Sequence, residues 1–190
     1  LAQLPGMGGE PDPAAGRDYL AYRYVPGPRT LLRGVRKLVP GTYTLWQFGR
    51  TREVRYWAPP DRTSPAGQAV QEPVGQFIER LESAVRARLP AGVLLSGGLD
   101  SAMLVPLAAK HGPVRTYSAG FEGDRHSELA LAAQVAAHFG TEHHEVVLTA
   151  RDLVERLPQA VAHRDAPVSR PSDVALHMLA REATRTSRAV

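Results

Sequence analysis

The sequence predicts an α/β protein built on a parallel, doubly wound sheet. Three observations carry that prediction. From residue 73 onward, helical and strand patterns alternate. The strand segments are short and largely apolar, as strands covered on both faces are. The first of them, Val93-Leu94-Leu95, stops at Ser96-Gly97-Gly98 and runs straight into a helix-forming stretch, the start of a parallel crossover.

The elements follow in order. Residues 42–48 alternate, with Tyr43, Leu45 and Gln47 on one face, Gly49-Arg50 can turn the chain, and residues 53–57 can return as a second strand. This β-hairpin is expected to close a domain whose beginning lies outside the sequence. Residues 58–67 are rich in Pro, Ser and Gly and have the composition of a linker. Val74, Phe77, Ile78, Leu81, Val85 and Leu89 recur at helical spacing, so an amphipathic helix is expected over 73–89. A strand at 92–95, a helix at 101–111 and a strand at 114–119 come next. A helix over 127–139 turns Leu129, Ala133, Ala136 and Phe139 inward and ends at Gly140. A strand at 143–148 and helices near 151–163 and 172–186, the last with Ser172 as N-cap, complete the pattern. Pro106 falls inside the expected helix, where it removes a backbone bond at a cost of about 3 kcal/mol unless the helix kinks.

Composition bounds the chemistry. The chain has no cysteine, which excludes disulfides, thiolate metal sites and a cysteine nucleophile within it. No apolar run reaches the length of a membrane span, and residues 2–9 do not read as a signal peptide. A cytoplasmic protein without membrane contact is expected. Net charge is +4, and residues 1–70 hold 10 Lys+Arg against 5 Asp+Glu. These arginines are dispersed and lack aromatic platforms between them, which favours a solvated face over a nucleic-acid site.

The loop at 96–101 carries the most chemistry. A strand that turns on glycines into a helix leaves backbone N–H groups unpaired at a positive dipole end, which attracts anions. Gly97 and Gly98 let a ligand approach the backbone, and Ser96 and Ser101 add hydroxyls. Asp100 beside a phosphate implies a cation between them, which suggests Mg²⁺. A Walker A loop is excluded by the missing lysine, a dinucleotide fingerprint by the glycine spacing, and a nucleophile elbow by Leu94 in its first glycine position. The bland alternative is a tight turn with no ligand. At the end of the second strand, Ser118-Ala119-Gly120 is small enough to admit an adenine ring, or simply eases a turn. Adjacent strand residues point to opposite faces, so His143-His144-Glu145 is read as structural rather than as a metal site. Arg170 can meet a substrate carboxylate through a bidentate pair or stand solvated. Trp46 and Trp57 are read as core or interface.

Ser96-Gly-Gly-Leu-Asp-Ser101 resembles the pyrophosphate loop of ATP pyrophosphatases. In context it resembles the synthetase half of glutamine-dependent asparagine synthetases. Residues 24–30 and 37–41 are similar to the end of that family's glutaminase domain, Gly140-Thr-Glu-His-His-Glu145 to its strand after the second helix, and Asp165-Ala-Pro167 to its substrate-side loop.

The resemblance implies the following. Residues 1–60 are the end of a class II glutaminase domain, 61–72 a linker, and 73–190 the start of a synthetase domain of the ATP-pyrophosphatase, adenine nucleotide α-hydrolase-like type. Ser96, Gly97, Gly98, Asp100 and Ser101 bind the pyrophosphate of ATP with Mg²⁺, and Leu94 and Ala119 hold the adenosine. The family activates aspartate as β-aspartyl-AMP, which ammonia released from glutamine converts to asparagine. A homodimer is expected for the full-length protein. Two departures stand against it: the family's nucleophilic cysteine is absent, and so is its Ser-Gly-Glu-Gly-x-Asp-Glu motif, expected after Val190. A β-lactam- or peptide-forming relative, or a catalytically incomplete nucleotide-binding fragment, stays open.

Overall fold

The computed structural model describes residues 9–60, 72–164, 166–187 and 189–190. The chain divides into two compact units, Leu1–Ala69 and Val70–Val190. The expected linker at 61–72, Glu72 excepted, and Asp165 lie outside the described residues.

The first unit holds helix α1 (Pro13–Tyr22) and an antiparallel hairpin, β1 (Thr42–Gln47) with β2 (Arg50–Arg55). No sequence reading anticipated α1. Its signal is Asp12-Pro13: the Asp12 carboxylate accepts from the Ala14 N–H at 2.9 Å, and Pro13 occupies the first turn. Arg29 reaches across from the following segment to pair with Asp18 at 2.6 Å. The hairpin turn falls one residue earlier than expected. Gln47 pairs with Arg50, so Phe48 and Gly49 form the two-residue loop, both at positive φ (49° and 75°). Neither tryptophan is core: Trp46 and Trp57 are 71% and 55% exposed within this chain.

The second unit is α2 (Pro73–Arg86), β3 (Val93–Leu94), α3 (Leu99–Ala109), β4 (Arg115–Phe121), α4 (Leu129–His138), β5 (Glu142–Leu148), α5 (Ala150–Arg164) and α6 (Pro171–Thr186). The sheet is wholly parallel, in the order β3-β4-β5. Alternation along the strands divides the core into two layers. On one face Val93 and Leu95 pack with Val105 of α3 and with Ala132, Val135 and Ala136 of α4. On the other, Leu94, Tyr117, Ala119 and Val146 pack with Leu179 and Ala183 of α6, while Leu148 packs with Ala160 of α5 and with Val174 and Ala175. Helices therefore cover both faces, as the alternation predicted.

The elements depart from expectation in four places. α3 begins at Leu99 rather than 101, because Gly98 takes an extended N-cap conformation (φ −80°, ψ 154°). Pro106 is accommodated within it. Phe139 is 38% exposed rather than inward, since α4 stops at His138 and its buried residues are Ala132 and Ala136. The cap of α6 is Arg170, not Ser172; Pro171 takes the first turn and Asp173 accepts from the Arg170 N–H at 3.3 Å. α2 has the expected period yet buries none of its residues: Val74, Phe77 and Ile78 are 70%, 54% and 46% exposed.

Candidate active site

The carboxyl ends of β3 and β4 open onto a cavity of about 250 Å³, the position where ligands enter open parallel sheets. Its floor is apolar: Leu94, Ala119, Leu129 and Ala132, with Ala175, Leu176 and Leu179 from α6. Ser96 brings the glycine loop to its edge. The structure thus gathers Leu94, Ser96 and Ala119, which the sequence reading had singled out separately.

The loop is held by its own serines. Ser101 Oγ accepts from the Ser96 N–H at 3.0 Å and lies 3.1 Å from the carbonyls of Ser96 and Gly98. Ser96 Oγ accepts from the Gly98 N–H at 3.1 Å and sits 2.8 Å from Ser101 Oγ. Both hydroxyls, expected as ligand donors, here shape the turn. The ladder of α3 opens with Ala102 N–H donating to the Gly98 carbonyl at 3.1 Å. The N–H groups of Leu99, Asp100 and Ser101 lie ahead of that first bond, with no side-chain cap on the helix. The Gly98 N–H, expected among the free donors, is taken by Ser96 Oγ.

The two glycines are glycines for different reasons. A Cβ on Gly97 would stand 2.9 Å from Glu128 Cβ and 3.0 Å from Leu131 Cβ, so the start of α4 presses directly on the loop. A Cβ on Gly98 would meet only Ser96 Oγ, at 3.2 Å. Gly97 is reserved for protein packing, and Gly98 is the face left open. Asp100 is exposed in the first turn of α3, where the helix dipole favours a negative charge. Among the described residues its carboxylate has no partner, which leaves it available to a cation.

Arg170 is not brought to this cavity. It lines a separate depression with Leu153, Val154, Leu157, Val168 and Val174. Beside it, the Asp173 carboxyl is held below the usual range. Partial burial raises it, but the Arg164 guanidinium and the N–H groups of Ser169 and Arg170 outweigh that. The two histidines part as strand alternation requires. His143 Nδ1 lies 2.8 Å from Thr116 Oγ1 on one face, and His144 stacks on Tyr117 on the other. Among the described residues no cluster of three potential metal ligands forms. Sequence reasoning missed Glu128, Leu129, Ala132 and the α6 residues as cavity lining. Leu129 and Ala132 carried a helical period, but nothing in that period says which end of α4 meets the loop.

The family model for asparagine synthase matches residues 76–190, more than half of the chain. The chain belongs to the asparagine synthase family. Among curated proteins it is 35% identical to a Mycobacterium tuberculosis protein named "Putative asparagine synthetase (glutamine-hydrolyzing)", over 97% of this chain and 30% of that protein. It is 31% identical to asparagine synthetase (glutamine-hydrolyzing) 1 of Bacillus subtilis, over 93% of the chain and 28% of the relative. Against the asparagine synthetase (glutamine-hydrolyzing) of Gallus gallus it is 36% identical over 51% of the chain and 19% of the relative. The chain thus spans about 30% of the length of the first of these relatives. Among the described residues no helix is long and apolar enough to cross a membrane.

Proposed function

We propose that this chain carries the ATP-binding part of a glutamine-dependent asparagine synthetase, on a sheet of the ATP-pyrophosphatase type. Residues 1–60 belong to its glutaminase domain and 73–190 to its synthetase domain. One observation carries the reading: an uncapped helix start follows a glycine loop whose first residue, Ser96, lines a cavity with an apolar floor. That pairing suits a molecule with an anionic chain and a flat, weakly polar end. Adenine rests between Leu94 and Ala119, and the phosphates lie against Gly98 and the N–H groups of residues 99–101, while Gly97 lets α4 close on the back of the loop.

In this reading the aspartate side-chain carboxylate attacks the α-phosphorus, and the bond from that phosphorus to the departing pyrophosphate breaks. Ammonia derived from glutamine then attacks the acyl carbon and AMP leaves with its bonding pair. The chain's own part is electrostatic and positional. The N–H groups at the start of α3 meet charge that grows on the leaving pyrophosphate, a contribution larger at the transition state than before it. The Ser96–Ser101 pair keeps those donors in place. Asp100 is free, adjacent and anionic, so it fits a Mg²⁺ ligand; a bound Mg²⁺ would neutralise phosphate charge. Arg170 meets the aspartate α-carboxylate only if that substrate extends to its depression. The same reading makes the whole protein a cytoplasmic homodimer with small-molecule substrates.

The test is aspartate-dependent pyrophosphate release by the whole protein. Asp100→Ala should abolish it and leave glutamine hydrolysis largely intact. Pyrophosphate release near the wild-type rate in that variant would remove Asp100 from the site.

A further inference from the structure

We propose that Glu128 reads the sugar of the nucleotide, its carboxylate accepting hydrogen bonds from the ribose 2′- and 3′-hydroxyls. This rests on the nucleotide reading above and adds a residue to it. Glu128 lines the same cavity as Leu94, Ser96 and Ala119, and it is the one acidic residue among the described residues that does so. It is also fixed against the glycine loop. Its Cβ and its carbonyl oxygen would lie 2.9 and 3.2 Å from a Cβ on Gly97. That carbonyl is itself held, accepting from the Ala132 N–H at 3.0 Å in the first turn of α4. Among the described residues the carboxylate has no hydrogen-bond or ion-pair partner.

A free carboxylate beside an anion-binding loop repels phosphate. When ionised it only accepts hydrogen bonds, so the ligand group that meets it must donate them. With the base on the apolar floor and the phosphates at the start of α3, the part of a nucleotide between them is the sugar. Two adjacent hydroxyls offer two donors to two carboxylate oxygens, the use to which an acidic residue is put in dinucleotide-binding sheets. The competing use, as a ligand to the phosphate-bound cation, makes a different prediction.

The experiment is calorimetric titration of the whole protein, and of its E128Q and E128A variants, with Mg·ATP and Mg·2′-deoxy-ATP at several Mg²⁺ concentrations. The wild type should prefer ATP about tenfold, the size of one charge-assisted hydrogen bond. E128A should bind both nucleotides equally, below the wild type's deoxy-ATP level because the 3′-hydroxyl contact is lost as well, and E128Q should keep part of the preference. The Mg²⁺ requirement should not move. A wild type without preference, or an E128A protein that keeps the ratio while weakening both, overturns the assignment. So does a raised Mg²⁺ requirement, which gives the carboxylate to the cation. If the wild type binds no ATP, the nucleotide reading itself fails, and this proposal falls with it. A structural defect in either variant lowers both affinities together and leaves the ratio unchanged, so the ratio isolates the sugar contact.

Discussion

Gly97 and Gly98 are neighbours with opposite duties. At Gly97 an added methyl meets Glu128 and Leu131 at 2.9 and 3.0 Å. Both contacts are Cβ atoms close to the backbone, so relief requires α4 to move. Gly97→Ala should therefore destabilise the protein by about 1–3 kcal/mol, the usual range for overpacking. At Gly98 the backbone is extended (φ −80°) and the nearest neighbour is the movable Ser96 Oγ at 3.2 Å. Gly98→Ala should leave the melting temperature nearly unchanged and weaken ATP binding, since the methyl projects to the open side. Thermal denaturation and nucleotide titration on the two variants check the split. Equal effects on both readouts in both variants would contradict it.

At the scale of elements, the start of α6 depends on one carboxylate. Asp173 pairs with Arg164 of α5 and accepts from the Ser169 and Arg170 N–H groups. Its pKa is lowered on folding: burial works to raise it, and the Arg164 hydrogen bond with the two backbone donors prevails. A carboxyl with a depressed folded pKa stabilises the protein fully above its unfolded pKa. That contribution is lost as pH falls through the folded value, so it is complete above about pH 5 and disappears in the acid range below about 4. Asp173→Asn should lower stability at pH 7 and flatten the fall in stability as pH drops below about 4. Denaturant unfolding at a series of pH values measures both. An unchanged acid slope in the variant would assign that slope to other carboxylates. Asp152 adds to the same slope, lowered first by the Thr149 hydroxyl and then by its N–H.

Over the whole molecule the two units are unequal. Among the described residues, Ala15 and Val25 are the buried apolar residues of the first unit, while Leu95, Val105, Tyr117, Leu148 and the rest lie in the second. The β1–β2 hairpin buries none of its residues, and apolar burial is the main stabilising term. Backbone amides of β1 and β2 in this chain should exchange with solvent much faster than those of β4, which hydrogen–deuterium exchange will show. Comparable protection in both would mean that the hairpin gains a cover. The 190-residue chain should also release no ammonia from glutamine. It has no cysteine, and residues 1–70 have no histidine to activate a serine. Sustained release by the purified chain would mean that its first segment is misread.

Local signals determined more of this protein than its length suggests. The alternation after residue 73, the strand–glycine–helix turn and the opposed side chains of His143 and His144 were all legible, because each is set by neighbours a few residues apart. Asp12-Pro13 and Pro171 are equally local signals of a helix start. Other features depend on what lies across the fold. That α4 presses on Gly97, that α6 supplies Ala175, Leu176 and Leu179 to the cavity, and that Glu128 stands beside the loop are consequences of packing between residues distant in sequence. The period of α2 and the alternation of β1 announced apolar faces, but not whether this chain covers them. Periodicity names a face that prefers burial; the tertiary structure decides which surface, if any, meets it.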